Sequence, residues 1–457
     1  MLGAPRTLQA LANDRVLFRF FGKCYGKGKE PRIASAIVFL IALAGIMLGD
    51  LNLIAPLITM FFLTAYGLLN LSAGLEDLLS NPSWRPKFKV PSMFSMVGFF
   101  ACLATMLMID AGATLMAFVV CGGVYYAMKR RSLRARWGDM RYGIMMLWAR
   151  SIIYRMASQK FDERTWRPNI LVLSGVPSQR WYLIELADAI SSGQSFVTVA
   201  AMLPDTSWSA ERADSLNETI TQYLKKHDVS ALVHVFSADN HLEGAQQLIQ
   251  HYGFGSIVPN TILIGETTKS ENYVEFARLI QIVFRTQKNL VIVREELHGD
   301  ESIEESGRSN RIDVWWRGGS QNIFLILALA YMIKESTRWT GSRLMLKMIV
   351  DSSEGQADAR NQLLTFVKKE RIGAEIDVLI RDNRSVFEII RDSSKDAAIV
   401  FLGLRYPTDE ESPETYSMYY RQLLADTNNM PVTALVMAAE NVDFQRIFES
   451  GIEQDVH

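Results

Sequence analysis

The sequence predicts an α-helical membrane protein carrying a large α/β domain. Three observations predict it: four apolar runs crowd into residues 33–128, strand and helix patterns alternate from residue 169 onward, and a basic amphipathic connector over 129–168 separates the two. Averages conceal this division. Across 457 residues the net charge is -1 and mean hydropathy is +0.07, values that suit a soluble enzyme.

A spanning helix needs roughly 20 apolar residues, because nothing in the hydrocarbon core satisfies open backbone groups. The runs 33–50, 52–75, 93–109 and 113–128 approach that length. The first two are separated by a tight turn at Asp50, the last two by Asp110-Ala111-Gly112, and the hairpins are joined by a longer loop over 76–91. Basic residues cluster in the N-terminal segment 1–32 (Arg6, Arg15, Arg19, Lys23, Lys27, Lys29, Arg32), in the middle loop (Arg85, Lys87, Lys89) and after the fourth run (Lys129, Arg130, Arg131, Arg134, Arg136). The positive-inside rule puts all three on the cytoplasmic side. The expectation is a multi-pass protein of the cell membrane, in contact with membrane lipid, with both termini and the C-terminal domain cytoplasmic. The apolar run 323–333 is too short to span and reads as a buried helix of the α/β domain.

Alternation in the remainder predicts strands near 170–175, 196–203, 231–237, 261–265 and 289–294, then 312–316, 344–350, 375–380, 398–403 and 432–438, with helices between them. Nearly all-apolar strands of this kind belong to parallel sheets covered on both faces. Two rounds of about five strands predict two similar doubly wound lobes, 169–296 and 311–457, separated by a flexible acidic loop over 297–310.

Chemistry-bearing motifs are sparse. The three cysteines, Cys24, Cys102 and Cys121, show no CxxC spacing, and the six histidines form no HExxH, so neither a metal site nor a disulfide framework is expected. No GxSxG elbow occurs, the acid pairs Glu295-Glu296 and Glu304-Glu305 sit in or beside the acidic loop, and no nucleic-acid motif is present, so no catalytic residue is assigned and the protein is read as a non-enzyme. Trp315 and Trp316 alternate on a strand and read as packing residues.

Ligands of parallel α/β sheets bind at the carboxyl ends of strands. The turns there hold Gly175 in the first lobe and Gly265 with Lys269 further on, but neither GxGxxG nor GxxxxGK[ST] is satisfied. A plain strand-to-helix turn is the favoured reading, nucleotide binding the alternative. Ala113, Ala117 and Cys121 form a strip of small residues that permits close helix approach, either within one subunit or across a dimer. Tyr66 stands alone as a tyrosine in mid-span; its phenol needs a hydrogen-bond partner or an anion.

At this point a family resemblance emerges. Leu2-Gly3-Ala4-Pro5-Arg6-Thr7-Leu8-Gln9-Ala10-Leu11 is similar to the segment after the eighth helix of the cation-chloride cotransporters. Asn52-Leu53-Ile54-Ala55-Pro56, residues 61–66 and Pro82-Ser83-Trp84-Arg85-Pro86-Lys87-Phe88 resemble the family's tenth helix and following loop. Arg167-Pro168, Pro259-Asn260-Thr261 and Ile312-Asp313-Val314-Trp315-Trp316 resemble patterns of its C-terminal domain.

The resemblance, to sodium-potassium-chloride cotransporter-like members of the amino acid–polyamine–organocation superfamily, implies a twelve-helix fold with inverted repeats. It implies chloride-coupled symport of sodium, potassium or both, and no cofactor. The four runs match helices 9–12, the lobes resemble universal stress proteins, and a homodimer forms through the C-terminal domain and last two helices. That shifts the Ala113–Ala117–Cys121 strip toward a dimer contact and makes Tyr66 a chloride-site residue completed by the same transporter's helices 1–8. The chain opens inside a family motif, so the expectation is a C-terminal fragment that is inactive alone. The alternative is a membrane-tethered, stress-protein-like nucleotide-binding or regulatory module.

Overall fold

The computed structural model describes residues 3–13, 19–23, 31–48, 51–79, 88, 90–130, 140–159, 162–267, 269–294, 309–318 and 321–448. Two compact units divide between Tyr154 and Arg155. The division falls inside the helix Met140–Ser158.

The first unit is all helical: α1 (Gly3–Asn13), α2 (Arg32–Leu48), α3 (Leu51–Leu79), α4 (Ser92–Ile109), α5 (Ala111–Arg130) and α6 (Met140–Ser158). Two stretches are long and apolar enough to cross a membrane, Ile58–Leu79 within α3 and Ser92–Ile109; α2 and α5 contribute shorter apolar stretches. Asp50, the basic residues of the middle loop and Cys24 lie outside the described residues. Asp110 turns the chain between α4 and α5 by accepting hydrogen bonds from the backbone N–H groups of Gly112 (2.8 Å) and Ala113 (3.1 Å).

Small residues let α3 and α4 close on each other. A Cβ at Gly67 would lie 3.4 Å from Cys102 Cβ, one at Gly74 3.2 Å from Ser95 Cβ, and one at Gly98 3.1 Å from Asn70 Cγ. Helices in lipid gain no hydrophobic drive from one another, so this close backbone approach supplies the dispersion that holds the hairpin. Pro56 sits a turn and a half inside α3, deeper than the first turn where proline is free of cost, so one carbonyl a turn earlier lacks its intrahelical donor.

The second unit is built on one ten-stranded sheet. Its strands are β1 (Ile170–Leu173), β2 (Val197–Leu203), β3 (Leu232–Ser237), β4 (Thr261–Gly265), β5 (Asn289–Arg294), β6 (Ser309–Trp316), β7 (Arg343–Val350), β8 (Glu375–Ile380), β9 (Ala397–Gly403) and β10 (Thr433–Met437). They run in the order β3-β2-β1-β4-β5-β10-β9-β6-β7-β8. Counted from its own first strand, each half has the order 3-2-1-4-5. Every neighbouring pair is parallel except β5 with β10, which is antiparallel, Arg294 pairing with Thr433 and Leu290 with Met437. The expected two lobes are therefore two halves of a single mixed sheet, related by a pseudo-twofold at the β5–β10 seam. The acidic loop 297–310 lies outside the described residues up to residue 308, and Ser309 and Asn310 already belong to β6.

Helices cover both faces with the same symmetry. On one face α7 (Trp181–Ser191), α8 (Ala210–Lys226), α11 (Gln321–Glu335) and α12 (Ser353–Lys369) share one apolar core. On the other, α9 (His241–His251), α10 (Tyr273–Arg285), α13 (Val386–Ser394) and α14 (Pro413–Asp426) share a second. The run 323–333 lies in α11 and is almost wholly buried. Ser209 and Ser352 cap the paired helices α8 and α12, each hydroxyl accepting a backbone N–H of the first turn. Trp315 joins one core and Trp316 packs on the other, as alternation along β6 requires.

Candidate functional site

Tyr66 lies on a stripe of α3, with Ile58, Phe62 and Leu69, that this unit leaves uncovered; 57% of Tyr66 is exposed. Its ring stacks on Phe62 one turn earlier at 6.4 Å, and its backbone carbonyl accepts from Asn70 Nδ2 at 3.0 Å. Among the described residues its hydroxyl has no hydrogen-bond partner. The helix thus presents a phenolic hydroxyl outward from an apolar face.

The opposite face of α3 packs inward. Met60, Met106 and Ala117 form a small buried cluster, with Leu63 and Ala113 against it. Thr64 and Thr114 seal it: Thr64 donates to its own helix at Met60 O (2.7 Å), and Thr114 to Asp110 O (2.7 Å). Ala113 and Ala117 are used in this chain to seat α5 on α3, and Cys121, further along α5, is partly exposed.

In the α/β unit the two topological switch points lie between β1 and β4 and between β6 and β9. Glycines mark both. Gly175 and Gly318 follow the first strand of their halves with φ of +71° and +75°, left-handed turns open around the missing Cβ. Gly265 and Gly403 end the fourth strand. The sequence-predicted turns at Gly175 and Gly265 are thereby brought to one place, and Lys269 is exposed four residues on. The chain's own side chains occupy that place: a Cβ at Gly265 would lie 3.0 Å from the Tyr182 hydroxyl and 3.1 Å from Arg180 Nη1.

At the second switch point Asn322 fills the equivalent position. Its Nδ2 donates to Leu404 O and its Oδ1 accepts from Ala438 N, both at 2.7 Å, tying the ends of β9 and β10 together. Just beyond, Arg405 lies over the rings of Tyr416 and Tyr419, 5.0 and 4.5 Å from their centroids, and makes a two-pronged ion pair with Glu411. That hydrogen bonding holds the Glu411 carboxyl below its ordinary range, while burial pushes the Tyr416 phenol up.

Sequence reasoning missed the most buried charges. Asp313 on β6 is fully buried; Arg311 reaches its two oxygens at 2.8 and 3.2 Å, and Lys347 on β7 at 3.0 Å. Lys347 and Arg311 both also donate to Ser393 O, at 2.6 and 3.0 Å, in the last turn of α13, where the helix dipole favours cations. The available signal was Asp313 and Lys347, opposite in sign and each flanked by apolar residues within a strand. The motif residues Arg167 and Asn260 also meet: Asn260 Nδ2 donates to Arg167 O at 2.8 Å, and Asn169 N to Asn260 Oδ1 at 2.9 Å. Beneath them the buried Lys288, its pKa lowered by desolvation, donates to Pro259 O at 2.7 Å. No group of three or more His, Cys, Asp or Glu side chains suited to a metal ion occurs among the described residues.

These features coincide with two known families. Residues 1–172 match the family model Amino acid permease, and residues 180–307 match Solute carrier family 12. Among solved structures, the cytoplasmic domain of a prokaryotic cation chloride cotransporter is similar at 16% identity and a TM-score of 0.44, over 62% of this chain and 100% of that one. A universal stress protein from Archaeoglobus fulgidus is similar at 13% identity and 0.40, over 60% of this chain and 98% of that one. A permease-like helical unit joined to an α/β unit of the solute carrier kind defines a membrane transporter. These matches support the resemblance of the chain to the C-terminal part of a cation-chloride cotransporter.

Proposed function

We propose that the chain serves chloride-coupled symport of sodium, potassium or both, with Tyr66 donating to chloride. The observation supporting this is the unpartnered Tyr66 hydroxyl on the uncovered stripe of an apolar helix. In this reading α2, α3, α4 and α5 are the four spans, both termini and the α/β unit are cytoplasmic, and the chain pairs with a second copy through the α/β unit and the last two spans. The middles of helices α2 to α5 carry no Asp, Glu, Lys, Arg or His, and in this reading the cation site needs further helices, so the chain alone carries no flux.

The test exchanges residues 1–457 for the matching part of a prokaryotic cation chloride cotransporter and follows chloride-dependent cation uptake into proteoliposomes. Uptake is expected in the chimera and a loss of about tenfold in chloride affinity with Tyr66→Phe, the worth of one hydrogen bond to a charge. Uptake indifferent to Tyr66→Phe would remove the chloride role. Chloride-dependent uptake by residues 1–457 alone would overturn the dependence on further helices.

A second reading, a membrane-tethered nucleotide-binding or regulatory module, draws on the meeting of Gly175 and Gly265 at one switch point. A nucleotide there has to displace Arg180 and Tyr182. No thermal shift with millimolar ATP or ADP would end this reading.

A further inference from the structure

The two halves of the sheet differ beside one pair of equivalent helices, α9 and α13, each of which follows the third strand of its half. In the second half the chain itself fills the space between the sheet and the last turn of α13. Lys347 donates to Ser393 O at 2.6 Å, and Trp315 Nε1 to Ser394 Oγ at 3.1 Å. In the first half, where the chain leaves α9, that space is a cavity of about 260 Å³.

Its floor is the start of β1 and β2, and one wall is the segment 252–259. That wall has a fixed shape. Phe254 and Ile257 exchange two backbone hydrogen bonds of 2.9 Å across a tight turn. Gly253 has φ of +147°, and a Cβ there would meet Val258 Cγ2 at 2.9 Å, so glycine is what lets the wall fold back on itself. The Tyr252 ring packs on His234, 4.7 Å between centroids, and so stays at the side.

Polar groups in the lining are short of partners. Thr198 is 4% exposed. The Tyr252 hydroxyl reaches its Oγ1 only at 3.5 Å, the limit of a hydrogen bond, and the Thr198 proton has no acceptor among the described residues. The Asn169 backbone donates to Asn260, but its side-chain amide has no partner among the described residues. A buried hydroxyl without an acceptor is uncommon in a folded chain and calls for one. The remaining side chains, Phe196, Leu232 and Val258 among them, are apolar, and none in the lining is charged. Ions and nucleotides meet no counter-charge here. An apolar cavity of roughly 150 Å³ takes benzene, so this one has room for a ring with a short substituent.

We propose that this cavity binds a small uncharged ring compound bearing a carbonyl oxygen, its ring against Phe196, Leu232 and Val258 and its oxygen accepting from Thr198 and Asn169.

The probe is 4-azidoacetophenone, a ring with one carbonyl. The full chain is illuminated with it in detergent, and labelled peptides are mapped by mass spectrometry. Labelling is expected within residues 252–259 or at the starts of β1 and β2. Excess acetophenone is expected to suppress it, and ethylbenzene, close in shape but without the oxygen, to leave it in place. Thr198→Val keeps the side-chain shape and removes the donor; it is expected to weaken labelling about fivefold, the worth of one neutral hydrogen bond. Thr198→Ser keeps the donor and is expected to label like the wild type. Labelling confined to the apolar helices overturns the proposal, as does labelling at the cavity that is indifferent to Thr198→Val or is suppressed equally by ethylbenzene. A Thr198→Ser protein that labels as poorly as Thr198→Val would trace the loss to packing and overturn the donor role. Disulfide capture of a second copy through Phe254→Cys, with the cavity unlabelled, would assign the place to a protein partner and equally overturn it.

Discussion

The ammonium of Lys347 lies 3.0 Å from a carboxylate oxygen of Asp313 inside the sheet, with at most 3% of either side chain exposed. The two residues sit on neighbouring parallel strands, Asp313 opposite Met345, so Lys347 is two residues further and on the same face. Arg311 shares the same carboxylate. One buried anion therefore pairs with two cations, and the carbonyl of Ser393 accepts from both of them. Asp313→Asn leaves both facing each other and is expected to cost about 3–5 kcal/mol. Lys347→Met leaves Asp313 with Arg311 and is expected to cost clearly less. Thermal unfolding of the detergent-solubilised protein checks the ranking; an Asp313→Asn protein as stable as the wild type would contradict it.

The pair Arg405–Glu411 predicts a pH dependence. Hydrogen bonding from Arg405 holds the Glu411 pKa below its usual 4.5, so the folded state favours the charged carboxylate. Stability from this group is present above the unfolded value and is lost as pH falls through the lowered folded value. The wild type is expected to melt above Glu411→Gln at neutral pH. The gap should narrow below pH 4.5 and close in stronger acid, as melting curves across that range will show.

Asn322 joins two strand ends with one donor and one acceptor. Asn322→Ala leaves Leu404 O and Ala438 N without these partners in a dry place, at an expected cost of about 2–4 kcal/mol. Asn322→Asp is expected to be worse, because it aims a second acceptor at a carbonyl. Hydrogen exchange at Ala438 should accelerate in both variants relative to Leu171 in β1.

The α3–α4 hairpin can be locked covalently. A Cβ at position 67 would lie 3.4 Å from Cys102 Cβ, close to disulfide separation. Gly67→Cys in a Cys24→Ser, Cys121→Ser background is expected to cross-link within one chain under mild oxidant. Free thiol remaining at both positions, measured by maleimide labelling, would show that the helices do not meet there.

Much of this architecture was legible in the sequence, and the gaps have physical causes. Strands such as Ile170–Leu173 announce themselves because both of their faces are covered. The apolar run of α11 was separable from a span by length alone. Joining the halves into one sheet was not legible: β5 and β10 are covered strands like the others, and periodicity says nothing about which strands become neighbours. Helix α1 lies in the segment read only as an N-terminal extension, its eleven residues being far too short to span. Arg180 and Tyr182 reaching Gly265 is a tertiary fact that no turn motif encodes. Tyr66 drew notice as a mid-span phenol, yet its outward direction depends on Met60 and Thr64 turning the other face of α3 inward.

The antiparallel seam between β5 and β10 places the end of β5 and the start of β6 along the same border of the sheet, three strand spacings or roughly 15 Å apart. Two separate polypeptides meeting at such a seam would associate only above some threshold of abundance. Tethered in one molecule by residues 295–308, each half instead meets the other at an effective concentration in the millimolar range, whatever the expression level of the protein. The pairing of the halves is thus insulated from dilution.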